Sequence, residues 1–481
     1  MPARLRLLLF VLLLPMPLRA QGALTYKLEY SAPGSANLRV AIELAEPSAG
    51  ERTLVMPRAV PMGYGEQPYD RFLHNVSAYA SSGEALAVER QDGPRWKLGA
   101  AGAHVARIEY EVNLAQMERE ILSGGDSSRA RPDYLELLGY SVLGFVEGLE
   151  DKAIRVHIAG PKDWPVFSTL APKTPAASES LSVAAQNYYA LADSQILMGH
   201  RAALRRIENK VPLFLALYSE GEADAALLGR LCGEAFQRVA DYFGSVPFAH
   251  FTIVFEHLKP LSERHSYAFG MEHLESSSFS QSSEQALTVQ TSQRQLAQTK
   301  YWIAHHIAHS WIPKRSYGQG YFPFRWELAA LIDTIWLSEG FAQYAAIDAL
   351  ADGMPTKEGA AFRESMIESR FRSTLRRMPA FLKQMPLVEL SKIASTRYSE
   401  DFRTGRTVFS RGGLMAAEMD QRMREKTKGK KRLRDALRYL VEWSAREKRA
   451  FRIEELPRIF KEATRVETRD ILEKWLKPMK D

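Results

Sequence analysis

The sequence predicts an α+β protein with an antiparallel β domain in front, a mixed strand and helix unit in the middle and a helical region behind. Three observations predict it. From residue 24 to about 199, short segments alternate apolar with polar residues between clusters of Pro, Gly, Ser and Asn, the signature of antiparallel strands. Helical periodicity begins only after Glu222, in the run 223–243, and one further strand signal, 251–255, precedes a loop and two long helical runs. Strands followed by helices, without regular alternation, give α+β character.

The elements follow in chain order. Residues 1–20 carry Arg4 and Arg6, an apolar stretch from Leu7 to Leu14, then Pro15, Pro17 and Ala20, which reads as a secretory signal peptide. The stretch is far shorter than the ~20 residues that span a bilayer, and no cysteine follows it, so a lipoprotein is excluded. Leu18 stands where a small residue usually precedes the cleavage point, which leaves retention as an anchor open. An exported protein, periplasmic or secreted, is expected. Residues 21–200 form the β-rich domain, with strands such as Leu-Thr-Tyr-Lys-Leu-Glu-Tyr at 24–30 and others at 38–44, 105–112 and 153–158. Residues 201–352 hold the helix 223–243, the strand 251–255, and helices expected over 283–311 and from about 325 to 350. Pro313 and Asp352-Gly353 end those two helices. Residues 353–481 are helical and charged, with 426–434 as a basic, solvated linker.

Composition narrows the class. The 481 residues are 46% hydrophobic and 25% charged, with 30 Gly and 24 Pro, which excludes collagenous and disordered chains. At roughly 150 residues per domain this is about three domains. A net charge of +7, part of it in the leader, is too weak to argue for nucleic acid. The single cysteine, Cys232, sits in the apolar helical pattern 226–236 and reads as a buried hydrophobe. No intrachain disulfide is possible, so an exported chain is held by its cores and a metal.

The chemistry concentrates in Ala304-His-His-Ile-Ala-His-Ser-Trp311. His305 and His309 are four apart, hence on one helical face and able to close on one ion. A third ligand, commonly a carboxylate from a following helix, is available at Glu327 or Glu339.

Trp336-Leu-Ser-Glu-Gly-Phe-Ala342 resembles the third-ligand segment of the gluzincin metallopeptidases, and the thirty positions from His309 to Glu339 are similar to the glycyl aminopeptidase family, peptidase family sixty-one of the metallo class. Trp311 and Lys314-Arg315 also match that family. The resemblance implies a thermolysin-like zinc domain with one Zn2+ held by His305, His309 and Glu339, and leaves Glu327 on the surface or behind the ligands. Phe269-Gly-Met-Glu-His-Leu-Glu-Ser276 resembles the family's Gly-Gly-Leu-Glu-His loop. It implies a substrate-binding Gly270, Met271 and Glu272, the last contacting the α-amino group of peptides or protein N-termini, where charge pairing selects a free end. The front segments 54–58 and 188–194 are similar to the family's N-terminal domain, while its C-terminal PDZ domain is expected to be absent.

Two departures bear on activity. The family's general base, the Glu after the first His, is replaced by His306, and the Tyr that donates to the oxyanion falls on Phe409 in Thr407-Val-Phe-Ser-Arg-Gly-Gly-Leu414. Val408 stands where a neighbouring Tyr is common, and Tyr398 is the nearest alternative. Losing a general base costs roughly 10² to 10⁴ in rate and losing an oxyanion donor roughly 10² to 10³, without the two having to multiply. His306 could accept a proton weakly, or occupy the open coordination position and close the site. The expectation is a catalytically impaired zinc aminopeptidase homologue that binds peptide N-termini. The alternative is an active enzyme that cleaves after Gly or Ala with an altered base.

Overall fold

The computed structural model describes residues 24–479 apart from 48–49, 122–125, 172–179 and 264; the expected signal peptide lies outside the described residues. Alternation becomes a seven-stranded sheet from β1 (Leu24–Glu29), β2 (Asn37–Leu44), β3 (Leu73–Ala80), β4 (Ala85–Leu86), β5 (Val105–Asn113), β6 (Ile154–Ala159) and β7 (Ser180–Ala185). Its order is β7-β6-β1-β2-β5-β3-β4. In β1, Leu24, Tyr26 and Leu28 are buried while Lys27 and Glu29 are exposed, as a strand with one face on the core requires. The sheet departs from the antiparallel expectation at one place: β1 and β6, far apart in sequence, pair in parallel. Two four-stranded sheets complete the domain. Tyr26 and Tyr110 donate to the carbonyls of Gly144 and Val142 at 2.9 and 3.1 Å, and Tyr188 to Leu143. Three buried phenols thus satisfy the backbone of one buried turn.

The middle unit is a five-stranded sheet of β8 (Ala203–Ile207), β9 (Leu213–Ser219), β10 (Phe251–Leu258), β11 (Ala268–Glu272) and β12 (Ser276–Ser282), ordered β8-β9-β10-β12-β11. All eight residues of β10 are buried, as expected for a central strand flanked by parallel partners. At one edge β11 pairs antiparallel to β12 and ends on Glu272. Behind the sheet runs α1 (Ala225–Phe243), started by the Asp224 side chain accepting from Ala226 and Leu227 and stopped at Gly244, whose φ of +78° suits a residue without Cβ. Cys232 is buried in it.

Both helices of the site start later than their periodicity suggests. The first, α2, covers Gln293–Ala308. Before it, the Thr288 amide donates to Thr291 Oγ1 at 2.8 Å, a local turn that outcompetes helix, and Ser292 then caps Gln295. The second begins with a π-turn, Trp336–Phe341, that leads into α3 (Ala342–Asp352). Residues 325–334 instead form a strap across the front domain: Trp326 accepts from the amides of Arg58 and Ala59 at 2.7 and 2.9 Å and packs its ring on Phe145 and Tyr188. Aromatic burial against the neighbouring domain has overridden helical periodicity.

The remaining residues are largely helical, dominated by α4 (Phe402–Thr427) and α5 (Leu433–Glu447). The π-turn lies backbone to backbone on α4. A Cβ on Gly412 would meet the Trp336 carbonyl at 1.9 Å, and one on Gly340 would meet Gly412 at 2.5 Å, so glycine at both positions sets the depth of Glu339. The basic connection after α4 is not simply solvated, since Arg432 bonds Asp348 and Asp352 and is only 12% exposed. Among the described residues no helix is long and apolar enough to cross a membrane.

Candidate metal centre

His305 and His309 leave the C-terminal turn of α2 on one face, and their Nε2 atoms stand 2.8 Å apart. Glu339 Oε2 lies 3.3 Å from the first and 3.6 Å from the second. All three residues are buried. Ligand atoms at about 2.0 Å around a tetrahedral Zn2+ stand about 3.3 Å from one another, so the three edges have the dimensions of a zinc site. The donor set, two imidazoles and a carboxylate, is also the one zinc prefers. The histidine tautomer agrees: His309 Nδ1 is 2.9 Å from the Ile312 carbonyl, which takes its N–H and leaves Nε2 bare for a metal. Burial, reinforced by His309 and His306, holds the His305 pKa well below its ordinary value, so that ring is neutral, the ligating form.

Tyr64, from the front domain, donates to the other oxygen of Glu339 at 3.0 Å. No motif marks it. Glu327 is elsewhere: it pairs with Arg95 of the front domain and takes no part in the triad.

His306 is the next residue round the helix. Its ring meets the edges of Phe279 and Trp302 and lies over Gly270, where a Cβ would come 2.6 Å from Nε2. Nδ1 points toward Glu272, 3.4 Å from Oε2, without hydrogen-bond geometry. Burial raises the Glu272 pKa, but His309, His306 and Lys314 overcome it and hold the carboxyl well below its usual range. Gly270 and Glu272 share one face of β11; Met271 alternates to the other and packs into the front domain's core.

Phe409 is half-buried on α4, with the Tyr398 ring 5.7 Å away. Tyr398 crosses Gly405, where a Cβ would come 2.2 Å from its ring, and its ring stands 6.1 Å from that of Tyr64. A phenol therefore stands beside the position that carries none.

The loop bearing Glu272 is tied to the end of α2 through the front domain. Asp193 Oδ1 accepts from Lys314 Nζ at 3.2 Å and from His273 Nδ1 at 3.1 Å, and Oδ2 accepts from the Leu274 amide at 2.6 Å. Lys314 also donates to the Pro61 carbonyl at 2.8 Å, and Arg315 to the carbonyls of Leu274 and Ser310. Lys314 and Arg315 thus position the two halves of the cleft.

Comparison with known proteins agrees with this geometry. Residues 25–200 match the family described as the Peptidase M61 N-terminal domain. No curated protein matches the sequence. Among solved structures, an aminopeptidase N family protein from Idiomarina loihiensis superposes with a TM-score of 0.82 at 17% identity, covering 95% of this chain and 76% of that one. An M1 zinc metallopeptidase from Deinococcus radiodurans gives 0.55 at 14% identity, covering 95% and 93%. The chain shares its overall fold with these structures, and the match over residues 25–200 supports a peptidase family.

Proposed function

We propose that this chain is an exported zinc-binding homologue of the glycyl aminopeptidases that holds the free amino end of a peptide at Glu272 and hydrolyses it poorly or not at all. The observation that carries the reading is the place of His306. It occupies the general-base position, yet its buried Nδ1 is directed at Glu272. Of the two carboxylates in the cluster, Glu339 joins His305 and His309 and Glu272 closes the end of β11. A zinc ion in the triad would polarise a carbonyl and acidify water. His305 and His309 would hold it, Tyr64 would orient Glu339, and Glu272 would fix an ammonium by charge-assisted hydrogen bonds. With imidazole in place of the base and Phe409 in place of the phenol, the residues that move protons in such a site are missing.

One observation favours the active alternative: Tyr398 packs beside Phe409 and could donate in its place. Binding and turnover separate the readings. Calorimetry with short glycyl and alanyl peptides should show binding to wild type, loss on acetylation of the peptide, and loss in Glu272→Gln. Equal affinity for acetylated and free peptides would refute the amino-end reading.

A further inference from the structure

We infer that Glu272, His306 and His309 form a second divalent-cation position, sharing His309 Nε2 with the His305, His309 and Glu339 triad. The ligand atoms of Glu272, His306 and His309 lie within 4.8 Å of one another, as do those of the first triad, and all three residues are buried. His309 is common to both. Its Nδ1 is committed to the Ile312 carbonyl, so Nε2 is its one nitrogen for either position, and an ion held by both imidazoles of one triad excludes an ion in the other.

A second observation points to a ligand. His306 is 7% exposed, and its Nδ1 is buried and without a hydrogen-bond partner, a costly state for an imidazole nitrogen unless something completes it. Glu272 Oε2 stands 3.4 Å away without the alignment of a hydrogen bond, but that spacing suits two ligands of one ion, which stand about 3.3 Å apart around zinc. The ring cannot turn away easily. Gly270 leaves it no room beyond van der Waals contact on one side, and Phe279 and Trp302 wall the others. Replacing glutamate with histidine at 306 has therefore supplied an imidazole where the general base would stand, and the resulting set of two imidazoles and one carboxylate repeats the composition of the first triad. An ion held there takes the carboxylate that would hold an ammonium. On the amino-end reading above, metal in this position and a peptide N-terminus compete for Glu272.

Cobalt(II) tests this, because its visible bands report coordination without any turnover. Full-length His305→Ala, which breaks the first triad and leaves the second, should bind one Co2+ per chain more weakly than wild type and with altered bands. His305→Ala combined with His306→Ala should bind none. Glu339→Gln serves as the independent variant and should behave like His305→Ala, with thermal melts confirming that each protein is folded. Folded His305→Ala and Glu339→Gln proteins that bind no Co2+, or a double variant that binds as well as the single one, would overturn the second position. Failure of the amino-end reading would show separately, as wild type indifferent to peptide acetylation, and leaves the Co2+ result unchanged.

Discussion

Tyr64 reaches across the domain boundary to Glu339, donating its hydroxyl to Oε1 at 3.0 Å across 275 residues of sequence. The front domain is therefore part of the candidate metal centre: it holds the carboxylate whose other oxygen faces the two histidines. Tyr64→Phe should lower zinc affinity about 10- to 100-fold, the usual effect of removing a group that orients a ligand, and leave the melting curve of the metal-free protein nearly unchanged. Chelator competition measures it. An unchanged affinity would show that Glu339 is oriented by the π-turn alone.

Wild type should hold one tightly bound zinc per chain by elemental analysis. His305→Ala and Glu339→Ala should each lose that tight binding, keeping at most the weaker occupancy of the second position. Glu327→Ala should retain it, because Glu327 is engaged with Arg95 and belongs to neither candidate metal group.

The Asp193 and Lys314 side chains are almost fully buried, at 2% and 0% exposure. Removing one partner of such a pair leaves the other charged and unpaired, which costs about 3–5 kcal/mol. Lys314→Met should lower stability in urea by that order. The paired change Asp193→Asn with Lys314→Met should cost less than the sum of the single changes, since the residues share one network.

His257 supplies a pH dependence outside the candidate metal centre. Burial lowers its pKa from 6.5 to about 4. The unfolded chain therefore takes up a proton before the folded one does as pH falls. Its stabilising contribution is full above about 6.5 and declines down to about 4, by about 3 kcal/mol in all. Urea midpoints followed across that window should fall less steeply in His257→Leu than in wild type. Parallel curves would contradict the assignment.

Much of this was legible in the sequence, for physical reasons that also explain the remainder. Alternation at 24–30 marks a strand because one face of the sheet is buried, and His305 and His309 share a face because the helix repeats at 3.6 residues. The parallel pairing of β1 with β6, and the strap that delays the second helix, depend on contacts between distant segments such as Trp326 on Phe145. No local pattern encodes them. Tyr64 and Asp193 were invisible as site residues for the same reason. The 188–194 segment resembles the family's N-terminal domain, but nothing in it shows that Asp193 meets Lys314.

Zinc held by His305, His309 and Glu339 with no proton acceptor at 306 and no phenol at 409 should not support turnover. Initial rates on glycyl and alanyl substrates test it most directly, measured for wild type, metal-stripped protein and the double variant His306→Glu with Phe409→Tyr. Wild type should run no faster than the metal-stripped sample, the double variant should show zinc-dependent turnover, and either single change should show less. Efficient zinc-dependent turnover by wild type would contradict it.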